Sequence, residues 1–207
     1  MAATKHEFFT TDTTTPSTNI YGANVWKAQT FTVGTVGVNE NHTLTEIKLR
    51  LFRDGSPGTI TVELQSVSGS PSEPTGSVHS TGTSDGDVIT TSNSGEVVTF
   101  TMDSSFSIQA STQYAIVVKA LDGDGANRVY WLRNSSGTYD STTDCYHFTT
   151  NGGSTWGQTT GSDLNFEVWG DSGGGPSGWT GNVAGVSNPA KVHGIVVANI
   201  SKVNGVS

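Results

Sequence analysis

The sequence predicts an all-β protein, a jelly-roll-like antiparallel β-sandwich with an extended C-terminal arm. Three observations point there. Apolar and polar residues alternate in several short runs, most clearly Ile47, Leu49 and Leu51 against Glu46, Lys48 and Arg50. Clusters of Gly, Ser, Asp and Asn separate these runs, and Gly alone accounts for 26 of the 207 residues. No stretch sustains the apolar period of a helix.

Taken in order, residues 1–24 are polar and Thr-rich and read as an irregular lead. Gln29 to Val33 reads as a first strand, and Leu44 to Arg53 as a second. Asp54-Gly55-Ser56-Pro57-Gly58 is a turn, and Ile60, Val62 and Leu64 form the inner face of the next strand, so these two runs are expected to pair as a hairpin. Residues 66–87 are rich in Ser, Gly and Pro and read as a long surface loop. Alternation returns over Val97 to Met102, followed by Phe106 and Ile108. Tyr114, Ile116 and Val118 then point inward, Asp122-Gly123-Asp124-Gly125 turns the chain, and Val129 and Trp131 share a face. Tyr146 to Thr149 and Leu164 to Trp169 complete about eight short strands, the pattern of a sandwich or jelly roll. The sandwich is expected over 25–170, with a Gly-rich linker over 171–180 and an arm over 181–207.

The arm repeats a short unit three times: Asn182-Val183-Ala184-Gly185-Val186, Lys191-Val192-His193-Gly194-Ile195 and Lys202-Val203-Asn204-Gly205-Val206. Such a segment has no second layer of its own on which to bury its branched residues, so it must pack on the body or on another chain. Val183, Val186, Val192, Ile195, Val197, Ile200 and Val203 are the candidate anchors of an assembly interface.

Composition narrows the function classes. The net charge is −8, and residues 1–170 carry 8 Lys/Arg against 17 Asp/Glu, whereas the arm and linker carry Lys191 and Lys202 against Asp171. An acidic body argues against a nucleic-acid partner. Cys145 is the single cysteine, which excludes an intrachain disulfide and a Cys-rich zinc site. The N-terminal residues lack the apolar core of a signal peptide, so production and assembly in a cytoplasm are expected. No apolar run is long enough for a membrane helix, so no membrane insertion is expected.

Several motifs invite chemistry. Gly170 to Pro176 resembles the nucleophile segment of trypsin-like proteases with one Gly too many, but no His stands in the context a triad needs, and the segment reads as a linker. Thr149-Thr150-Asn151-Gly152-Gly153-Ser154-Thr155-Trp156 resembles an Asp-box, which implies a turn locked by side-chain hydrogen bonds with the Trp packed beneath. Asp122 and Asp124 are weak calcium candidates, lacking the later ligands of a calcium loop. Cys145 and His147 fall on one strand face and read as a buried Cys beside a surface His. Trp26, Tyr130, Trp131, Tyr139, Tyr146 and Trp156 are candidates for a glycan platform, Trp131, Tyr139 and Trp156 foremost. No cofactor and no catalytic residue is expected.

Gln29–Val33, Thr43–Leu51, Ser56–Leu64, Thr112–Val118, Gly152–Trp156 and Asn165–Gly170 together resemble the choice-of-anchor type of β-sandwich domain, over about residues 25–170. The arm, Gly185 to Val206, is similar to Lys-Val-x-Gly-Val repeats at the ends of phage tail, fibre and other virion proteins. These resemblances imply a non-enzymatic virion structural protein, a decoration, collar or tail component. Its expected partners are itself and other virion proteins, with surface glycans as further candidates. A carbohydrate-binding adhesion module and a subunit of an extracellular cell-surface filament are the alternatives.

Overall fold

The computed structural model describes residues 3–10, 15–134, 139, 144–159 and 161–171. For residues 15–18, 182–183, 186–187, 191–192 and 195–196 it describes the backbone alone. The first strands are β1 (Thr4–Phe9), β2 (Thr15–Ile20), β3 (Trp26–Thr32), β4 (His42–Asp54), β5 (Thr59–Ser68) and β6 (Glu73–Asp85). After a single 3-10 turn at Gly86–Val88 come β7 (Glu96–Thr101), β8 (Ser107–Ile108), β9 (Gln113–Lys119) and β10 (Arg128–Asn134). The sandwich ends with β11 (Tyr146–Thr149), β12 (Gly157–Thr159), β13 (Asp163–Leu164) and β14 (Phe166–Asp171). Four two-residue strands follow in the arm: β15 (Asn182–Val183), β16 (Val186–Ser187), β17 (Lys191–Val192) and β18 (Ile195–Val196).

Two antiparallel sheets form the sandwich. The six-stranded sheet runs β12-β11-β3-β9-β5-β6. In the eight-stranded sheet the long β4 pairs with β14 and β10 along one edge and with β7 and β8 along the other, while β1 extends β14 and β2 extends β10. The core lies between the sheets. Ile47, Leu49, Leu51, Phe100, Trp131, Phe166 and Val168 come from one side and Phe31, Ile60, Val62, Leu64, Ile116 and Val118 from the other. A buried polar clamp crosses that core: the Gln29 amide donates to Asp163 Oδ1 at 2.8 Å and accepts the Leu164 N–H at 2.8 Å, and Asp163 Oδ2 accepts the Tyr139 N–H at 2.9 Å. Buried polar groups satisfied in this way fix the register of the two layers.

An all-β sandwich is therefore what the chain forms, but five expectations need correction. The runs around β4 and β5 do not pair; they belong to opposite sheets. Their apolar faces meet across the core instead of edge to edge, and the turn between them is a corner. Gly55 and Gly58 take positive φ there, and the Ser56 and Gly58 amides donate to Asn127 Oδ1 and Asp87 Oδ1 at 2.9 and 2.8 Å. Residues 66–87 are no loop: β5 and β6 form a long hairpin through them. The core-facing side of β6 uses Ser80 and Gly82, because a Cβ at Gly82 would stand 2.9 Å from the Thr101 carbonyl, so no apolar alternation marks the strand.

The lead is also not irregular, since β1 and β2 edge the eight-stranded sheet. Its polar residues are used in place: buried Glu7 accepts the Gly34, Val36 and Gly37 amides at 2.7, 2.8 and 3.1 Å, tying β1 to the following loop. Finally, the Cys145–His147 expectation is reversed. His147 is fully buried and Cys145 half-buried. The sandwich also runs through Asp171, one residue beyond its expected end.

Candidate functional site

The outer face of the six-stranded sheet carries a hollow of about 230 Å³. Its position follows from the strand register. His147, Ala28, Val117 and Glu63 stand in one lateral row across β11, β3, β9 and β5, and Thr30, Ala115 and Gln65 in the next. Small residues at the middle of these rows leave a depression. Ala28, Ala115 and Val117 form a satellite apolar cluster, with Trp26, Val67 and Trp156 packed on it.

One wall of the hollow is aromatic. Trp26 and Trp156 lie 130 positions apart in sequence and meet because Thr149 of β11 pairs with Trp26 of β3. The Asp-box-like turn then returns the chain over the same strand end. That turn is locked as expected: Thr149 Oγ1 donates to Asn151 Oδ1 at 2.8 Å and accepts the Gly153 N–H at 3.2 Å. Asn151 Oδ1 accepts the Thr155 N–H at 3.1 Å, and Asn151 Nδ2 donates to Thr155 Oγ1 at 2.9 Å. Gly152 and Gly153 both take positive φ, and a Cβ on Gly153 would stand 3.0 Å from the Trp26 ring. Trp26 is held in turn by its indole N–H, which donates to the Gly22 carbonyl at 3.2 Å.

The adjoining wall is polar and internally paired. The Lys119 ammonium donates to Glu63 Oε1 at 2.5 Å and sits 4.3 Å over the Trp26 ring. Gln65 Nε2 donates to Glu63 Oε2 at 2.6 Å, and Gln65 Oε1 accepts the Gly76 N–H at 2.9 Å. Val78 completes this wall from β6, where it is exposed. A second hollow, of about 90 Å³ and bordered by Lys48, Arg50 and Glu167, is too small for an organic ligand.

Of the six aromatic residues expected to form a glycan platform, Trp26 and Trp156 lie here, whereas Tyr146 is in the core and Tyr130 stacks on Phe52. Trp131 is 0% exposed and its indole N–H donates to the Asn165 carbonyl at 2.7 Å, so it is a core residue. Tyr139 is likewise buried, edge-on to Phe9 and Phe166, and burial pushes its phenol up. Glu63, Gln65 and Lys119 were not expected at a site. The Asp122–Gly125 segment is a turn whose carboxylates accept backbone amides: Asp124 Oδ1 accepts those of Ala126 and Asn127 at 2.7 and 2.9 Å, and Asp122 Oδ2 that of Thr59 in β5 at 3.4 Å. These bonds, led by that from Ala126, hold the Asp124 carboxyl below its usual range. No cluster of three or more His, Cys, Asp or Glu able to hold a metal occurs among the described residues.

One Ser–His contact exists, Ser66 Oγ at 2.7 Å from His79 Nε2. The imidazole stacks on Phe106, with no orienting carboxylate among the described residues, so the pair lacks the third member of a nucleophilic triad.

The arm is the second surface of interest. Its first two repeats fold back on themselves: Val183 stands opposite Val186 and Val192 opposite Ile195, each pair joined across two residues. Neither hairpin pairs with a strand of the sandwich among the described residues. Val197, Ile200 and Val203, and the third repeat with them, lie outside the described residues.

No protein-family model matches the chain, and no curated protein matches it significantly. Function therefore rests on these two surfaces.

Proposed function

We propose that the protein is a non-catalytic structural component of a phage-like virion, a decoration, collar or tail protein, whose arm joins copies of the chain to one another and to neighbouring particle proteins. The observation that carries this reading is the pair of tandem two-stranded hairpins in the arm, which among the described residues pair only with themselves. A hairpin of two-residue strands is far below what is stable alone in water; it needs a third strand or an apolar surface to pack against. A neighbouring copy offers a sheet edge, because β6 and β12 are the end strands of the six-stranded sheet. Strand addition would use main-chain bonds for affinity and the repeated branched residues for register. The similarity of the repeats to those ending phage tail and fibre proteins supports the virion setting. The acidic body and slightly basic arm add a weak, salt-screened attraction between copies.

The test is a paired change within the second hairpin. Val192→Asp with Ile195→Asp sets two like charges opposite each other, and assembly of the full chain should be lost while the sandwich keeps its melting temperature. Assembly that survives this double change, measured by sedimentation velocity, overturns the reading.

A further inference from the structure

We propose that the hollow bounded by Trp26, Trp156, Glu63, Gln65 and Lys119 is a binding site for one pyranose ring of an uncharged glycan. This inference stands independently of assembly through the arm. A pyranose presents an apolar C–H face and a rim of hydroxyls, each both donor and acceptor. The hollow presents the same division: the Trp156 indole offers apolar surface, and a carboxylate, an amide and the ammonium that sits over Trp26 offer polar groups. Indole is the side chain best suited to take the C–H face, combining a large apolar area with a negative π face.

Charge decides the ligand class. Glu63 and Lys119 already neutralise each other at 2.5 Å, so the site offers no net charge to a phosphate or an acidic sugar. An acidic ligand would have to compete for Lys119 beside the Glu63 carboxylate, and a cationic one would face Lys119 itself. A neutral polyol meets neither penalty. It can use the remaining lone pairs of Glu63 and the remaining protons of Lys119 and Gln65 without breaking the pair.

Rigidity and access point the same way. Trp26 is pinned through Gly22, Trp156 closes the locked Asn151 turn, and Glu63 is held by two donors, so little order remains to be lost on binding. Gly76, Gly152 and Gly153 line the hollow with bare backbone, and nothing lies within 4 Å of where a Gly76 side chain would begin. That side is open for a glycan chain to continue past the bound ring.

The experiment uses full-length protein on a glycan array carrying neutral oligomers of glucose, galactose, mannose and N-acetylhexosamines beside sialylated and uronate-containing glycans. Hits are re-measured by titrating intrinsic Trp fluorescence. Binding to at least one neutral class is expected, weakened about tenfold or more by Trp156→Ala. Val78→Arg should weaken it similarly by filling the mouth from an exposed strand position, which keeps the test valid if Trp156→Ala disturbs folding. Absence of binding to every neutral glycan, binding confined to acidic glycans, or wild-type affinity in a folded Val78→Arg variant would each overturn the proposal.

Discussion

Two buried imidazoles set the acid response of this fold. His147 is fully buried, neither ring nitrogen has a hydrogen-bond partner among the described residues, and burial pushes its pKa down to about 4. His42 is buried face to face with His6, ring centroids 3.8 Å apart; burial pushes its pKa down to about 4, against the raising effect of its bond to the Glu40 carbonyl. In the unfolded chain such rings titrate near 6.5. Between about pH 4 and 6.5 the unfolded chain therefore binds more protons than the fold, so stability rises with pH through that window and is complete above it. Each ring contributes up to about 3 kcal/mol to this slope. His147→Leu should remove its share and stabilise the protein by about 1–2 kcal/mol at pH 7, because an apolar side chain suits a row shared with Ala28 and Val117 better than an unpaired imidazole. Urea unfolding at pH 5 and pH 7 checks both points. An unchanged pH dependence in the variant would show that His147 is not the group responsible.

At the scale of elements, the Asn151 turn sets the shape of the aromatic wall. Asn151→Ala removes the side-chain bonds to Thr149 and Thr155 together and should cost about 1–2 kcal/mol in a chemical melt, with a shift in Trp emission as Trp156 loosens. This element was readable in the sequence because its hydrogen bonds are local and tied to residue type. The strands over Leu44–Arg53, Gln113–Lys119 and Leu164–Trp169 were readable because period-two alternation reports a half-buried face directly. Strand β6 was hidden since its core positions are small, and β1 and β2 because edge strands tolerate polar residues. The pairing of successive strands was misjudged because alternation identifies a buried face but not which sheet owns it. At the site, Trp131 shares a face with Val129, so alternation already marked it as core. Trp26 was legible as one aromatic candidate among six, but its partnership with Trp156 was not, since it exists through the pairing of β3 with β11.

The whole molecule joins two parts with different stability. The sandwich closes its own core, from the Glu7 clamp at β1 to the last pair of β14 with β4 at Asp171–Thr43. Among the described residues the arm's hairpins pair only within themselves, and their proposed role is to join copies. The most direct test is the light-scattering mass of the full-length chain beside that of a chain ending at Asp171. The account predicts an oligomer for the full length and a folded monomer for the shorter chain. Two folded monomers would contradict it.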